Sequence, residues 1–408
     1  VLDAEFVRSH FPALARGCAF FDNAGGTFCP VHVRDRITEH LSANMVQLGA
    51  THPLSREATQ TFQAGRDAAA RLVGADPSQV ILGPSTTANL ITLASALRPL
   101  WREGDAVVVT DLDHESNIGP WRRLAATGIE LREWRLNPST HALELGDLRP
   151  LLDDRVRLVA FTHSANVVGA IHDVEAITDL AHRAGAQVCV DGVAYAPHRH
   201  LDLPALGVDY YALSLYKVFG PHLALLYGKH EHLRAARPPA HFFYGEGDLP
   251  HKFEPGGAPH ELVAGLPGIL DYLDALDQHH FGQRGDAAEA PLARIFELIA
   301  AHESRLAARL LDLLHTSPKV TVLGPPTADP ALRLPLIAFT LRGRHASELP
   351  PLLDPHGVAL RWGHFYAPRA VDRLGLTEAG GVVRVSMAHY NDDHDLDRLI
   401  AALTPHIF

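Results

Sequence analysis

Lys217 lies in "ALSLYKVFGPH", among apolar and aromatic neighbours, between "GVDYYALS", which reads as a buried strand, and a Gly-Pro turn. Lysine is almost never fully buried without a partner. Desolvation disfavours its charged form, and the neutral amine so produced is a nucleophile or a base. Snorkelling from a strand end is the ordinary alternative. Asp191 closes the apolar run "AQVCVD", 26 residues before this lysine. Alone, an aspartate there is an ordinary helix cap. A third stretch, "GPSTTANL", sets Ser85, Thr86 and Thr87 at a strand-to-helix turn. Its hydroxyls and amide N–H groups can cradle a phosphate, although any helix could start this way. Amine, carboxylate and anion cradle together meet the needs of pyridoxal phosphate, which takes a lysine on its aldehyde and a carboxylate on its ring nitrogen.

The elements that must position these groups alternate. From about residue 65 to 230, "QVILGP", "DAVVVTD", "GIELREWRL", "VRLVAFT" and "AQVCVD" read as strands. "TANLITLASALRPLW", "SNIGPWRRLAATG" and "DVEAITDLAHRAG" read as helices between them, and a further helix-strand passage is expected between Asp191 and Lys217. That alternation implies a mostly parallel α/β sheet covered on both faces, with its ligand beyond the carboxyl ends of the strands. Ser85, His114 and Asp191 all follow strands. Beyond a Gly- and Pro-rich stretch come helices in "LVAGLPGILDYLDAL" and "APLARIFELIAAHESRLAARLLDLLH". Short strands "LPLIAFTL" and "GVVRVSMA" and a closing helix then make a small α+β domain. The expected organisation is an N-terminal segment, 1–20, packing on the small domain, a large cofactor-binding domain, 21–275, and the small domain, 276–408.

The order of these motifs resembles the fold-type I pyridoxal-phosphate enzymes of the class V aminotransferase group, nearest the group II cysteine desulfurase and selenocysteine lyase branch. The resemblance covers nearly the whole chain and implies a large domain on a mostly parallel, seven-stranded-type sheet, with a small C-terminal domain. "FFDNAG" resembles the opening Asp-Asn-Ala motif, bringing Asn23 to the substrate side. "DHESNIGPW" resembles the segment whose histidine, here His114, stacks on the cofactor ring. "THSANVVGA" would place Asn166 near the ring oxygen, "VDGVAYAPH" supplies Asp191, and "LSLYKVFGPH" supplies Lys217 for the Schiff base and Ser214 for the phosphate. "LRWGH" and "VRVSMAHYN" resemble segments with substrate-carboxylate arginines, here Arg361 and Arg384. A homodimer with its site near the interface is also implied.

Departures from the family pattern bear on the reaction. Where desulfurases carry a persulfide cysteine, "LRWGHFYAP" has Tyr366, and without a thiol there sulfur cannot be taken up covalently. Ala194 replaces a polar residue, and Tyr216 stands where desulfurases have histidine, with a phenol in reach of the phosphate. Gly257 replaces a threonine that relatives donate from the second subunit, leaving a backbone N–H or His52 for that contact. Lys217 is the natural base for a substrate α-proton. Loss of a β-substituent would then make a lyase, with Tyr366 as acid or as packing. Reprotonation elsewhere would make an aminotransferase or an epimerase, and a non-catalytic partner in sulfur assembly is a further reading.

Composition excludes several other classes. The 408 residues carry 36 Lys and Arg against 47 Asp and Glu, a formal charge of -11 that disfavours nucleic-acid binding. No apolar run approaches a membrane span, and the opening "VLDAEFVRSH" lacks signal-peptide character, so a cytoplasmic protein is expected. Cys18, Cys29 and Cys189 are too few and scattered for a disulfide framework or a zinc site, and no metal is expected.

Overall fold

A computed structural model describes residues 1–282 and 291–408. After β1 (Ala19–Phe20), the short apolar runs become β2 (Val80–Gly83), β3 (Ala106–Thr110), β4 (Glu130–Trp134), β5 (Val156–Thr162), β6 (Gln187–Asp191), β7 (Tyr210–Ser214) and β8 (Ala224–Gly228). They form one seven-stranded sheet in the order β2-β8-β7-β6-β5-β3-β4. Only β8 runs against the others. Alternate residues feed separate cores on the two faces: Val159 and Phe161 of β5 pack on one side, Leu158 and Ala160 on the other. Burial on both faces is why the inner strands read as continuous apolar runs, whereas the edge strand β4, Glu130–Trp134, is only partly buried and polar.

Three expected helices differ. Residues 192–209 cross from β6 to β7 through turns alone. Pro197 and Pro204 there each remove an N–H donor that a helix would need. "SNIGPWRRLAATG" is broken into a four-residue helix, Gly119–Arg122, between 3₁₀ turns at Glu115–Asn117 and Arg123–Thr127. "LVAGLPGILDYLDAL" divides at Leu266 into His260–Gly265 and Pro267–Phe281, because Pro267 suits the first turn of a helix and not its interior.

Beyond Pro291–Thr316, strands β9 (Val320–Leu323), β10 (Leu336–Leu341), β11 (Val358–Ala359), β12 (Arg361–Gly363) and β13 (Val382–Ser386) follow. Four of them make an antiparallel sheet, β12-β13-β10-β9, while β11 pairs in parallel with β1. The helix Asp393–Ile407 covers this sheet.

The N-terminal segment packs on both parts of the chain: Val7, Phe11 and Leu14 join the main core, while Arg8 pairs with Asp392 and Asp395, the Phe11 ring lies 4.9 Å from that of Tyr390, and Ala19 joins the smaller core. The helix Pro291–Thr316 is likewise shared, with Leu292, Ile295 and Ile299 in the main core and Leu306, Leu310 and Leu314 in the smaller one. Among the described residues, no helix is long and apolar enough to cross a membrane.

Candidate active site

The carboxyl ends of β5, β6 and β7 bring Thr162, Asp191 and Ser214 to one rim of the sheet. The connection after β3 adds His114, and the helix Thr86–Leu97 points its N-terminus at the same place. These groups, with Thr87, Glu115, Ser116, Ser164, Asn166, Tyr216, Lys217 and Tyr366, line a cavity of about 510 Å³.

One end is built for an anion. Ser85 caps the twelve-residue helix, its Oγ accepting from Ala88 N–H at 3.1 Å. Thr86 Oγ1 meets Ser214 Oγ at 2.8 Å, and Thr87 Oγ1 meets Ser116 Oγ at 2.6 Å. Free N–H groups, hydroxyls and the helix dipole together favour a phosphate. Burial pushes the Tyr216 phenol up, eased by a hydrogen bond to Ser214.

At the deep end, Asp191 Oδ1 accepts the Val193 N–H at 2.9 Å. Burial raises the Asp191 carboxyl to about 6, opposed by that bond and by the charge of Lys217. A cation placed beside it would favour the ionised form further. Gly192 follows because a Cβ there would lie 2.0 Å from the Tyr211 phenol. Behind it, Asp113 is held by Thr110 Oγ1, by Asn117 Nδ2 at 2.7 Å and by Thr162 N–H at 3.1 Å.

Lys217 closes a 3₁₀ turn, Leu215–Lys217, directly after β7. Burial first, and repulsion from Arg384 second, bring its ammonium down to about 8. Its Nζ stands 5.9 Å from the centre of the Tyr216 ring. His114 Nδ1 accepts the Ser116 N–H at 3.1 Å, so its proton sits on Nε2. Burial, with the charges of Lys217 and Arg384, holds this imidazole down at about 4, neutral at physiological pH.

An adjoining cavity of about 310 Å³ shares His114, Asn166, Tyr216, Lys217 and Tyr366 and adds Gly25, Arg361, Trp362, His364, Phe365 and Arg384. Arg384, 2% exposed, donates to the Asn166 carbonyl at 3.0 Å and lies 3.7 Å over the Phe365 ring. Asn166 Nδ2 in turn donates to the Phe365 carbonyl at 2.8 Å. Arg361 and Arg384 both reach Asp22, at 2.6 and 3.2 Å.

Three expected site residues lie elsewhere. Asn23 is buried, donating to the Ser386 carbonyl and to Asn391 Oδ1 while accepting from the Tyr390 hydroxyl, so its polar atoms tie the chain start to the small domain. His52 caps the helix Pro53–Leu72, its Nδ1 accepting from Ser55 N–H at 3.3 Å. Gly257 is exposed, and its N–H is already donated to the Glu254 carbonyl. None of the three lines either cavity. Conversely, Ser116 and Ser164 lie in motifs whose neighbours carry the expected roles, and Asp22, next to Asn23, carries no local signal of a site role.

The fit of pyridoxal phosphate to these residues can be judged from the protein alone. A desolvated amine, a buried carboxylate with only one oxygen bonded, and a hydroxyl-ringed helix N-terminus face one cavity, as aldehyde, ring nitrogen and phosphate require. Fold and site together define a pyridoxal-phosphate enzyme of fold type I. Residues 19–399 match the family model for class V aminotransferases, and the chain belongs to that family. It is 39% identical to "Aminotransferase-like protein FGM3" of Gibberella zeae, over 98% of this chain and 97% of that protein. It is 31% identical to a cysteine desulfurase of Serratia proteamaculans, over 98% and 97%. Among solved structures, the apo cysteine desulfurase of Thermococcus onnurineus superposes with a TM-score of 0.87 at 25% identity, covering all of this chain and 98% of that one.

Proposed function

We propose that this pyridoxal-phosphate enzyme is a lyase that removes a β-substituent from an amino acid without a persulfide cysteine. The observation that carries the reading is Tyr366 at the mouth, five residues after Arg361, while none of the three cysteines lines either cavity. Cys189 is buried in the sheet core, and Cys18 and Cys29 lie outside both cavities.

When bound, pyridoxal phosphate supplies an aldehyde for the substrate amine and a pyridinium ring that accepts the electron pair left at the α-carbon. Lys217 would hold the cofactor through its aldehyde, and its Nζ is the group placed to take the substrate α-proton. A pKa of about 8 leaves an accessible neutral fraction near neutrality. Asp191 would favour a protonated ring nitrogen, and His114, neutral, would line the same cavity without adding charge. Arg384 takes the α-carboxylate, which fixes the bond that breaks. Tyr366 gives a proton to the leaving group, which departs with its bonding pair, and water then yields pyruvate and ammonium.

The family resemblance implies a homodimer; the Gly257 N–H is spent on the Glu254 carbonyl, which leaves His52 as the group for a partner's phosphate end. A second reading, transamination, is favoured by the 39% identical relative named aminotransferase-like. Incubation with L-cysteine, L-cystine and L-alanine separates the two. Pyruvate with sulfide or persulfide supports elimination. A stoichiometric, lasting pyridoxamine spectrum with no released sulfur would overturn it in favour of transamination.

A further inference from the structure

Arg361 of β12 and Arg384 of β13 are directly opposed across an antiparallel pair. Opposed residues on adjacent strands share a face, and like charges so placed repel. Asp22 relieves this from a third element. Its backbone bridges to Ser386, and its two carboxylate oxygens divide between the guanidiniums, Oδ1 to Arg384 and Oδ2 to Arg361. Both arginines line the second cavity, whereas Asp22 stands behind its wall and is 8% exposed. Gly25 lines the cavity, and a Cβ on it would lie 3.2 Å from the Asp22 carboxylate, which places that carboxylate next to the cavity wall. Its charge leaves this wall with one net positive charge instead of two. Arg384 also keeps Nε buried and without a partner.

We propose that Asp22 is a positioning residue that sets the charge of the carboxylate subsite, so that the site selects amino acids whose α-carboxylate is their only anionic group. A single carboxylate neutralises the wall. A second carboxylate on the substrate would meet repulsion from Asp22 that no further arginine of this wall offsets. Substrate side chains are accordingly neutral or cationic. This inference rests on the reading that Arg384 binds the α-carboxylate, and it adds which amino acids that arginine accepts.

The test uses the cofactor-loaded enzyme, with L-alanine and L-aspartate as probes followed by the change in cofactor absorption on binding. Wild type should bind L-alanine more tightly than L-aspartate. Asp22→Asn should narrow that ratio by about tenfold, equivalent to about 1.4 kcal/mol. Asp22→Glu should restore it, because charge and not shape is responsible. Arg361→Gln, at an exposed side chain, should widen the ratio and keeps the proposal testable if Asp22→Asn does not fold. The proposal is overturned if Asp22→Asn weakens both ligands equally, as loss of a merely structural tie would, or if Arg361→Gln leaves the ratio unchanged. Arg384→Gln separates the underlying reading. If it leaves binding of both probes intact, Arg384 does not hold the α-carboxylate and the inference falls with that reading. If it abolishes binding of both while the ratio ignores Asp22, only the inference fails.

Discussion

Tyr366 stacks on His114, with ring centroids 5.2 Å apart and planes inclined by 30°. The contact joins the small domain's loop to the connection after β3. It depends on two successive non-glycine residues in the left-handed region, Phe365 at φ +49° and Tyr366 at φ +58°. Each such residue costs roughly 1–2 kcal/mol. Offsetting contacts hold them: Glu115 N–H donates to the Tyr366 carbonyl at 2.8 Å, Asn166 to that of Phe365, and Arg384 lies on the Phe365 ring.

Tyr366→Phe keeps the stacked ring and removes only the hydroxyl. With a substrate whose leaving group needs a proton, kcat should fall by roughly 100-fold with little change in KM. With β-chloro-L-alanine, whose chloride leaves unprotonated, kcat should stay near wild type. Equal losses on both substrates would show that the phenol is not the acid. The phenol is 69% exposed in the single chain, so substrate or a second copy must exclude water from it.

Cofactor uptake by the apo protein should report the Lys217 amine. Only the neutral amine condenses with an aldehyde, and this one has been lowered from the usual 10.5 to about 8 by burial. The rate of uptake should therefore rise about tenfold per pH unit below 8 and level off above it. An exposed lysine would continue to climb towards 10.5, so a profile still rising at pH 9.5 would contradict the assignment. Stopped-flow absorbance on apo protein mixed with pyridoxal phosphate measures it.

Lys217→Ala should leave the protein able to bind the cofactor through its phosphate but not covalently. Borohydride reduction followed by peptide mass analysis should find the cofactor on the Lys217 peptide of wild type and on no peptide of the variant. Attachment at another lysine in wild type would refute the site.

A stability prediction concerns Arg66 and Glu254, both about 3% exposed and paired through two bonds of 2.8 Å. Glu254 also accepts the Leu82 N–H of β2 at 2.7 Å, and Arg66 donates to the Val80 carbonyl. Arg66→Ala leaves a buried carboxylate uncompensated and should cost about 3–5 kcal/mol in denaturant unfolding. Glu254→Gln, which keeps one oxygen acceptor for Leu82, should cost less. A near-neutral Arg66→Ala would mean that water reaches the pair.

The sequence was most legible where one local rule decides the outcome. Apolar runs ending in Asp191 and in Ser214 could only be buried strands, and the rim they reach is where Lys217 and the phosphate cradle meet. It was least legible where tertiary pairing decides. Asn23 was assigned to substrate from its motif, yet its amide is consumed by Ser386 and Asn391, more than 360 residues away in sequence. Asp22 is hidden for the same reason: nothing local says that two arginines from distant strands will both reach it. The helix expected between Asp191 and Lys217 differs in kind, because Pro197 and Pro204 are local signals against it.

The helix Pro291–Thr316, 26 residues and about 39 Å long, is embedded at one end in each hydrophobic core. A rod clamped at both ends transmits torque. Rotation of the Arg361–Tyr366 side of the mouth against the Lys217 side would disturb the packing at one end of this rod or the other. For the same reason the two halves should melt together, as a single calorimetric peak.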